Sequence, residues 1–188
     1  MWLPQSISVT KHNLKILIVH DIFSPPVASR IYAYPSIAAY EILALDNANY
    51  QSLVGQLKDL RQIPQPNKDT EYCYSLASVH AFLLVGKALI FSEDKMEVFE
   101  KEIYQEFKDL KIPSAVYKNS MEYGEVVAKH IMTWAGLDNY KQTRTFPKFD
   151  VNLDDDTRWQ PTPPDYMEGI EPHWNKIRPF ILNSAQQF

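Results

Sequence analysis

The sequence predicts an all-α fold, a bundle of about five helices with an extended C-terminal segment. Two observations carry this prediction. Apolar residues recur at helical spacing through the first 136 residues, and prolines recur among aromatic residues after Leu137. We therefore expect a helical part, 1–136, and a Pro/aromatic-rich part, 137–188, that packs on the bundle to form a single, incomplete domain.

The most apolar helix is predicted at the centre of the bundle, over 25–45. Ser24 can cap this helix, and Pro25 and Pro26 fit its first turn, where a missing N–H had no partner anyway. Its apolar residues form two stripes, which leave almost no wet face. They are Val27, Ile31, Tyr34, Ala38, Ile42 and Leu45 in one stripe and Ala33, Ile37, Tyr40 and Ala44 in the other. Pro35 predicts a kink or a restart near Tyr34.

The flanking stretches are less clear. The first helix is predicted over 8–22, although residues 15–20 (KILIVH) are β-branched enough for a buried strand. A short helix is predicted over 50–60. The next stretch, 61–69, contains two prolines and lacks apolar periodicity, which indicates a surface connection.

Three further helices follow. The third is predicted from Asp69 or Thr70 to Ser92, and its half at 81–91 is apolar on every side. Ser92 is the predicted cap of the fourth, whose stripe is Met96, Phe99, Ile103, Phe107 and Leu110, with Glu97 and Lys101 as a surface ion pair. The fifth begins at Pro113–Ser114 and ends at Gly136, and Gly124 predicts a close helix approach.

Composition excludes several classes of function. The net charge is -4 and the 19 basic residues are scattered, so we expect no nucleic-acid partner. No apolar run is long enough to span a membrane. The start of the sequence does not resemble a secretory signal, which predicts a cytoplasmic protein, or a periplasmic or secreted one if a leader was removed upstream of Met1. The single cysteine, Cys73, is interpreted as a small core residue.

Metal and nucleophile motifs are weak. No histidine follows a Glu by three residues, as helical di-iron sites require. Asp150, Asn152, Asp154 and Asp156 fit an EF-hand loop, but Asp155 stands where Gly is needed and Pro161 where Glu is needed, so we favour an acidic turn. No local frame fixes a catalytic triad, and the five glycines are too scattered for a phosphate loop.

Three charged residues fall within apolar helices. Arg30 and Glu41 share one face of the central helix, and Lys87 lies in the third. Each needs a partner if it is buried, and we interpret all three as structural pairs. Trp159 and Trp174 are interpreted as packing anchors.

Two stretches resemble a known family. The first is HDIFSPPVASRIYAY (20–34), continued by IAAYE (37–41); the second combines WQPTPP (159–164), EPHW (171–174) and RPF (178–180). In order and spacing they resemble the N-terminal half of bacterial vanadium-dependent haloperoxidase relatives in the phosphatidic acid phosphatase superfamily.

The resemblance implies an all-helical fold whose buried anion site holds vanadate, or phosphate in the phosphatases. The family signature is a Lys followed after six residues by Arg-Pro, then Pro-Ser-Gly-His, then Ser-Arg with a histidine five residues on. Here the position seven before Arg178 is Glu171, and no Ser-Gly-His occurs. We therefore assign no catalytic, cofactor-binding or metal-binding residue and expect vanadate or phosphate only with a C-terminal half.

Two hypotheses remain open. The first is the non-catalytic N-terminal helical part of such an enzyme, present as a fragment, a split gene product or a subunit. The alternative is a stand-alone helical interaction or scaffold protein that has lost the chemistry. Because half a bundle would leave 31–45 and 81–91 partly bare, we expect a homo-oligomer or a partner that supplies the C-terminal catalytic half.

Overall fold

The computed structural model describes residues 4–183 and 187. Five long helices and one short one follow each other along the chain: α1 (Pro4–His20), α2 (Pro25–Leu45), α3 (Tyr74–Lys87), α4 (Glu93–Asp109), α5 (Ser114–Gly136) and α6 (Tyr140–Thr143). A 3-10 turn covers Trp174–Lys176. The described residues contain no strand, only an isolated bridge between Val54 and Leu57. The all-helical prediction is confirmed.

The chain forms two compact units, Met1–Ala135 and Gly136–Phe188. In the first unit α2 packs most extensively against α3, and α1 packs against both α3 and α4. No helix in the described part of the chain is both long and apolar enough to cross a bilayer.

The strand alternative for residues 15–20 is wrong, because this stretch is the end of α1. Leu14, Leu17 and Ile18 are buried at helical spacing, whereas Ile16 and Val19 are exposed. In a strand, buried and exposed side chains would have alternated residue by residue.

The central helix has the predicted bounds, but its first turn is not capped as predicted, and of the kink or restart expected at Pro35 the restart is absent. Ser24 occupies the N-cap position, yet its hydroxyl makes no capping hydrogen bond and is buried without a partner. The helix is continuous across the buried Pro35, so no new helix starts at Tyr34. α2 tolerates this internal proline because its surroundings fix the helix through packing.

The predicted helix over 50–60 is wrong. The stretch forms turns because other side chains take up its backbone groups. The Leu53 N–H donates to Glu41, and the Lys58 carbonyl accepts from the Trp134 indole. The connection over 61–69 is irregular, as predicted, although Ile63 within it is buried.

The third helix is shorter than predicted at both ends. It starts after Cys73, a half-buried residue at the N-cap rather than in the core, whose N–H donates to the Ser120 hydroxyl over 2.8 Å. It ends at Lys87, and 88–92 forms a turn. Nine of the 14 residues of α3 and ten of the 21 residues of α2 are buried. The chain itself thus covers much of the two stretches that we expected to be partly bare, although Phe91 is exposed.

The fourth and fifth helices follow the prediction closely. α4 buries Met96, Ile103 and Phe107 along one face, and its charged residues other than Glu100 are exposed. In α5, Gly124 lies directly against α3, since a Cβ atom there would stand 2.6 Å from the Ala77 carbonyl oxygen. The close approach expected at Gly124 is present.

The second unit is mostly irregular and carries the proline-rich sequence. Hydrogen bonds connect its two ends: the Arg178 N–H donates to the Asp138 carbonyl over 2.9 Å, and the Asn139 amide donates to the Lys176 carbonyl over 3.0 Å. These contacts join residues 138–139, just before α6, to residues 176–178, and so close the segment between them into a loop.

Candidate functional site

The buried arginine of the central helix is committed to structure. Arg30 is 9% exposed, and its Nη2 donates to the Ala135 carbonyl at the end of α5 over 3.2 Å. Its guanidinium carbon lies 5.0 Å from the centre of the Tyr34 ring, which in turn packs edge-on against Trp134. This arrangement is a cation–π contact inside the bundle, and it joins α2 to α5.

The buried glutamate of the same helix fixes the loop that follows it. Glu41 is 2% exposed. Its Oε2 accepts from the Ser52 hydroxyl over 2.7 Å and its Oε1 from the Leu53 N–H over 2.6 Å. Both carboxylate oxygens are thereby satisfied, as a buried charge requires.

The lysine of α3 is paired with α4. Lys87 Nζ lies 2.8 Å from Glu97 Oε1 and 3.5 Å from Glu100 Oε2. The hydrogen bond that Lys87 donates to Glu97 raises the pKa of Lys87 and lowers the pKa of Glu97. Glu97 therefore bonds to Lys87 rather than to Lys101, the partner predicted from helical spacing.

A histidine–tyrosine pair between α3 and α4 was not predicted from the sequence. His80 Nδ1 and the Tyr104 hydroxyl are 2.6 Å apart, in a part-buried position. Burial lowers the pKa of His80 to about 4 and raises the pKa of Tyr104. A neutral His80 can accept a hydrogen bond from the Tyr104 hydroxyl at Nδ1. The spacing of the two residues in the sequence does not predict this contact.

A second cluster, between the end of α1 and the start of α4, centres on Asp21. Its carboxylate, 3% exposed, accepts from the Phe91 N–H over 2.9 Å and the Ser92 N–H over 3.1 Å. The Ser92 hydroxyl and His20 Nδ1 bond to the other oxygen. Ser92 was predicted to cap α4 with its side chain; instead its hydroxyl binds Asp21.

We expect Asp21 to stabilise the fold, because its one carboxylate accepts hydrogen bonds from several donors. Burial raises the pKa of Asp21, but hydrogen bonds from Ser92, His20 and two backbone N–H groups lower it by more, to about 2. Asp21→Asn places an amide where a charged acceptor stood and should lower the free energy of unfolding by about 2 kcal/mol. Urea denaturation at neutral pH measures this loss.

The matched control is Asp94→Asn, an exposed acid in the first turn of α4. It removes only a favourable interaction with the helix dipole, roughly half a kcal/mol. Equal losses in the two variants would contradict a special role for Asp21.

The acidic stretch of the second unit forms turns rather than a cation cage. The Asp154 N–H donates to Asn152, and Asp155 accepts from the backbone and hydroxyl of Thr157. Asp150, Asp154 and Asp156 are exposed. Among the described residues no group of three or more acidic, histidine or cysteine side chains is arranged to hold a metal ion.

The second unit also contains a cavity of about 630 Å³. Phe149 and Trp159 meet edge-on in its wall, with ring centres 5.7 Å apart, and Gly169 lies against the Trp159 ring. The charged residues that line it are Asp165 and Glu168. Carboxylates repel an oxyanion, so this cavity does not suit vanadate or phosphate.

A smaller cavity of about 140 Å³ is bordered by Arg144, Lys148 and His173. Its positive charge is already matched, because Arg144 binds Glu171 over 2.8 Å and Lys148 lies 3.8 Å from Glu168. His173 Nε2 lies 2.6 Å from the Pro147 carbonyl. Trp174 packs edge-on against Tyr140, in agreement with its interpretation as a packing anchor.

Comparison with known proteins finds similarity among solved structures. No protein-family model matches the chain, and no curated protein matches it. Among solved structures, the chain is similar to one described as the first bacterial vanadium-dependent iodoperoxidase, with a TM-score of 0.90 and 52% sequence identity. The match covers 98% of this chain and 44% of the iodoperoxidase chain, so the chain spans less than half the length of that protein.

The first unit is a bundle of α-helices in which Arg30, Glu41 and Lys87 each bind a partner within the same chain. The chain is similar, over nearly its whole length, to part of this bacterial vanadium-dependent iodoperoxidase, in agreement with the resemblance of the motifs at 20–41 and 159–180.

Proposed function

We propose that this chain is the non-catalytic helical part of a vanadium haloperoxidase-like or acid phosphatase-like protein, and that anion chemistry requires a C-terminal half. The observation that carries the proposal is the coverage of the match. At 52% identity, nearly all of this chain corresponds to less than half of the iodoperoxidase. The sequence has no Lys at the signature spacing before its one Arg-Pro, at 178–179, and no Ser-Gly-His.

The charges of the described residues support this assignment. A vanadate or phosphate group needs several cationic donors that converge on one point. Here Arg30 binds the Ala135 carbonyl, and Lys87 binds Glu97 and Glu100. Arg144 binds Glu171. The donor set of these residues does not fit an oxyanion, and we assign it no step of the reaction.

One observation favours the alternative, a stand-alone helical scaffold. Much of the apolar surface of α2 and α3 is buried within this chain. A bundle that covers its own central helices can fold without a second half.

The experiment separates the two functions. The purified chain is supplied with vanadate, hydrogen peroxide and iodide or bromide, and also with an aryl phosphate. We expect turnover at background in both assays, because Arg30, Lys87 and Arg144 already bind partners within the chain and so cannot stabilise the transition state. We also expect ⁵¹V NMR lines of free vanadate to stay unbroadened, a readout that does not depend on activity.

The second arm co-expresses this chain with the unmatched part of the iodoperoxidase chain. Co-purification together with halide oxidation supports the role of a helical part of an enzyme. Turnover that follows the purified 188-residue chain alone would overturn the proposal. Failure of the two parts to associate favours the scaffold.

A further inference from the structure

The second unit has no apolar core of its own among its described residues. The buried residues that the structure describes after position 135 are Asp138 and Thr143, and both are polar. In the first unit, by contrast, α1 to α5 all contribute buried apolar side chains. A segment without buried apolar side chains gains too little from burial to offset the entropy of ordering its backbone. The second unit therefore needs apolar contacts from elsewhere.

Exposed apolar side chains of the second unit gather at its larger cavity. Trp159, Met167 and Ile170 line this cavity of about 630 Å³ and are 48%, 62% and 52% exposed, respectively. Cavities that receive ligands commonly measure about 300–1,000 Å³, so this one is large enough for several side chains. We call the surface formed by Trp159, Met167 and Ile170 the cavity face.

The cavity face is held in place from within the second unit. Trp159 meets the Phe149 ring edge-on, and a Cβ atom at Gly169 would stand 3.5 Å from the Trp159 ring. The Tyr166 N–H donates to the Thr162 carbonyl over 3.1 Å, which closes the turn in the opposite wall. A surface that is ordered in advance loses little entropy when it binds.

The comparison with the iodoperoxidase indicates what covers this face. The structural match includes 98% of this chain, and therefore most of the second unit, but only 44% of the iodoperoxidase. A closely similar backbone thus exists in a protein in which more than half of the residues lie outside the match. Those residues are the source of the apolar side chains that the second unit lacks.

A second copy of this chain suits the cavity face less well. A two-fold interface places the same patch of both copies together, so it would set one cavity against another and fill neither. A well-packed interface instead inserts the side chains of one partner into the pockets of the other. The occupant must therefore present a convex apolar surface.

We propose that the cavity face is the docking site for the C-terminal half of the protein, and that an apolar segment of that half fills the cavity. This inference rests on the proposed function and deepens it. It assigns the contact to the second unit, whereas the sequence led us to expect bare surface on the bundle, at 31–45 and 81–91.

Co-expression of the full chain with the tagged, unmatched part of the iodoperoxidase tests the proposal. Ile170→Asp places a charge on the cavity face and should lower the amount of this chain that co-purifies about tenfold or more, the usual effect of disrupting an interface hot spot. Met167→Asp should act in the same way. Because both side chains are already exposed in the free chain, the melting temperature of each variant alone should match that of the wild type.

Val126→Asp on α5 is the matched control, since Val126 is an apolar residue of the first unit that is about as exposed as Ile170. It should leave co-purification unchanged. If the two parts associate but Ile170→Asp has no effect, or no more effect than Val126→Asp, this proposal is wrong and the proposed function stands. A dimer of this chain alone that Ile170→Asp dissociates would also overturn it. Two parts that do not associate at all would overturn both proposals.

Discussion

Gly124→Ala is expected to lower the free energy of unfolding by about 2 kcal/mol, although alanine is the better helix former. The added methyl would stand 2.6 Å from the Ala77 carbonyl oxygen, which belongs to the backbone of α3 and cannot turn aside. It would also come within 3.2 Å of the His80 ring. α5 must therefore move away from α3 or bend. Urea denaturation of the two proteins under the same conditions measures the loss.

Gly136→Ala is the control for this prediction. Gly136 ends α5, and a Cβ atom there meets nothing within 4 Å. The substitution should leave stability unchanged or raise it by up to about 1 kcal/mol, because alanine reduces the freedom of the unfolded chain. If the two substitutions behaved alike, helix propensity rather than the α3–α5 approach would determine the cost.

The helices that could be predicted from the sequence are those whose signals are local. The bounds of α2 follow from Pro25 and Pro26 at the start and Asp46 at the end, and its burial follows from two apolar stripes. α5 was equally clear, including the close approach at Gly124. In these cases the information lies within a few turns of one helix.

The errors arose where distant residues determine local structure. Residues 50–60 have enough apolar character for a short helix, but the Glu41 carboxylate takes the Leu53 N–H into a turn. The end of α3 was misplaced because Asp21, 70 residues away, binds the backbone of Phe91. The apolar periodicity of the sequence does not predict these long-range pairings.

The polar clusters could be predicted only in part. A buried Arg30, Glu41 or Lys87 must have a partner, and the sequence alone led to that expectation. The identity of each partner depends on how the helices pack. The His80–Tyr104 pair was missed altogether, since it forms only when α3 and α4 lie side by side.

His80 is expected to make the stability of the chain depend on pH between 7 and 4. Its pKa is lowered to about 4 by burial, from an ordinary value of 6.5. Between these values the unfolded chain binds a proton that the folded chain does not, so stability falls as the pH falls. The contribution is full above pH 6.5 and is lost as the pH approaches 4, at a cost of at most about 3 kcal/mol.

Tyr104 does not titrate in this range. Burial raises the pKa of Tyr104, so its hydroxyl keeps its proton throughout. A protonated His80 would offer an N–H at Nδ1 and the Tyr104 oxygen can accept it, so the pH dependence arises from the burial of the charged imidazolium rather than from this contact. Glu100, the acidic neighbour that also raises the pKa of Tyr104, is already bonded to Lys87.

His80→Asn tests this prediction, because the amide oxygen can still accept the Tyr104 proton but does not titrate. Urea denaturation at several pH values from 7 to 4 should show stability falling more steeply in the wild type than in the variant, and the difference between the two slopes isolates His80. Asp21 contributes only near the lower edge of this range, where the unfolded chain begins to protonate it at its ordinary pKa of 3.8, and that contribution cancels because both proteins keep Asp21. His12→Gln, at an exposed position on α1, should keep the wild-type slope. Parallel pH profiles for the wild type and His80→Asn would contradict the prediction, because they would mean that the folded chain protonates His80 as readily as the unfolded chain does.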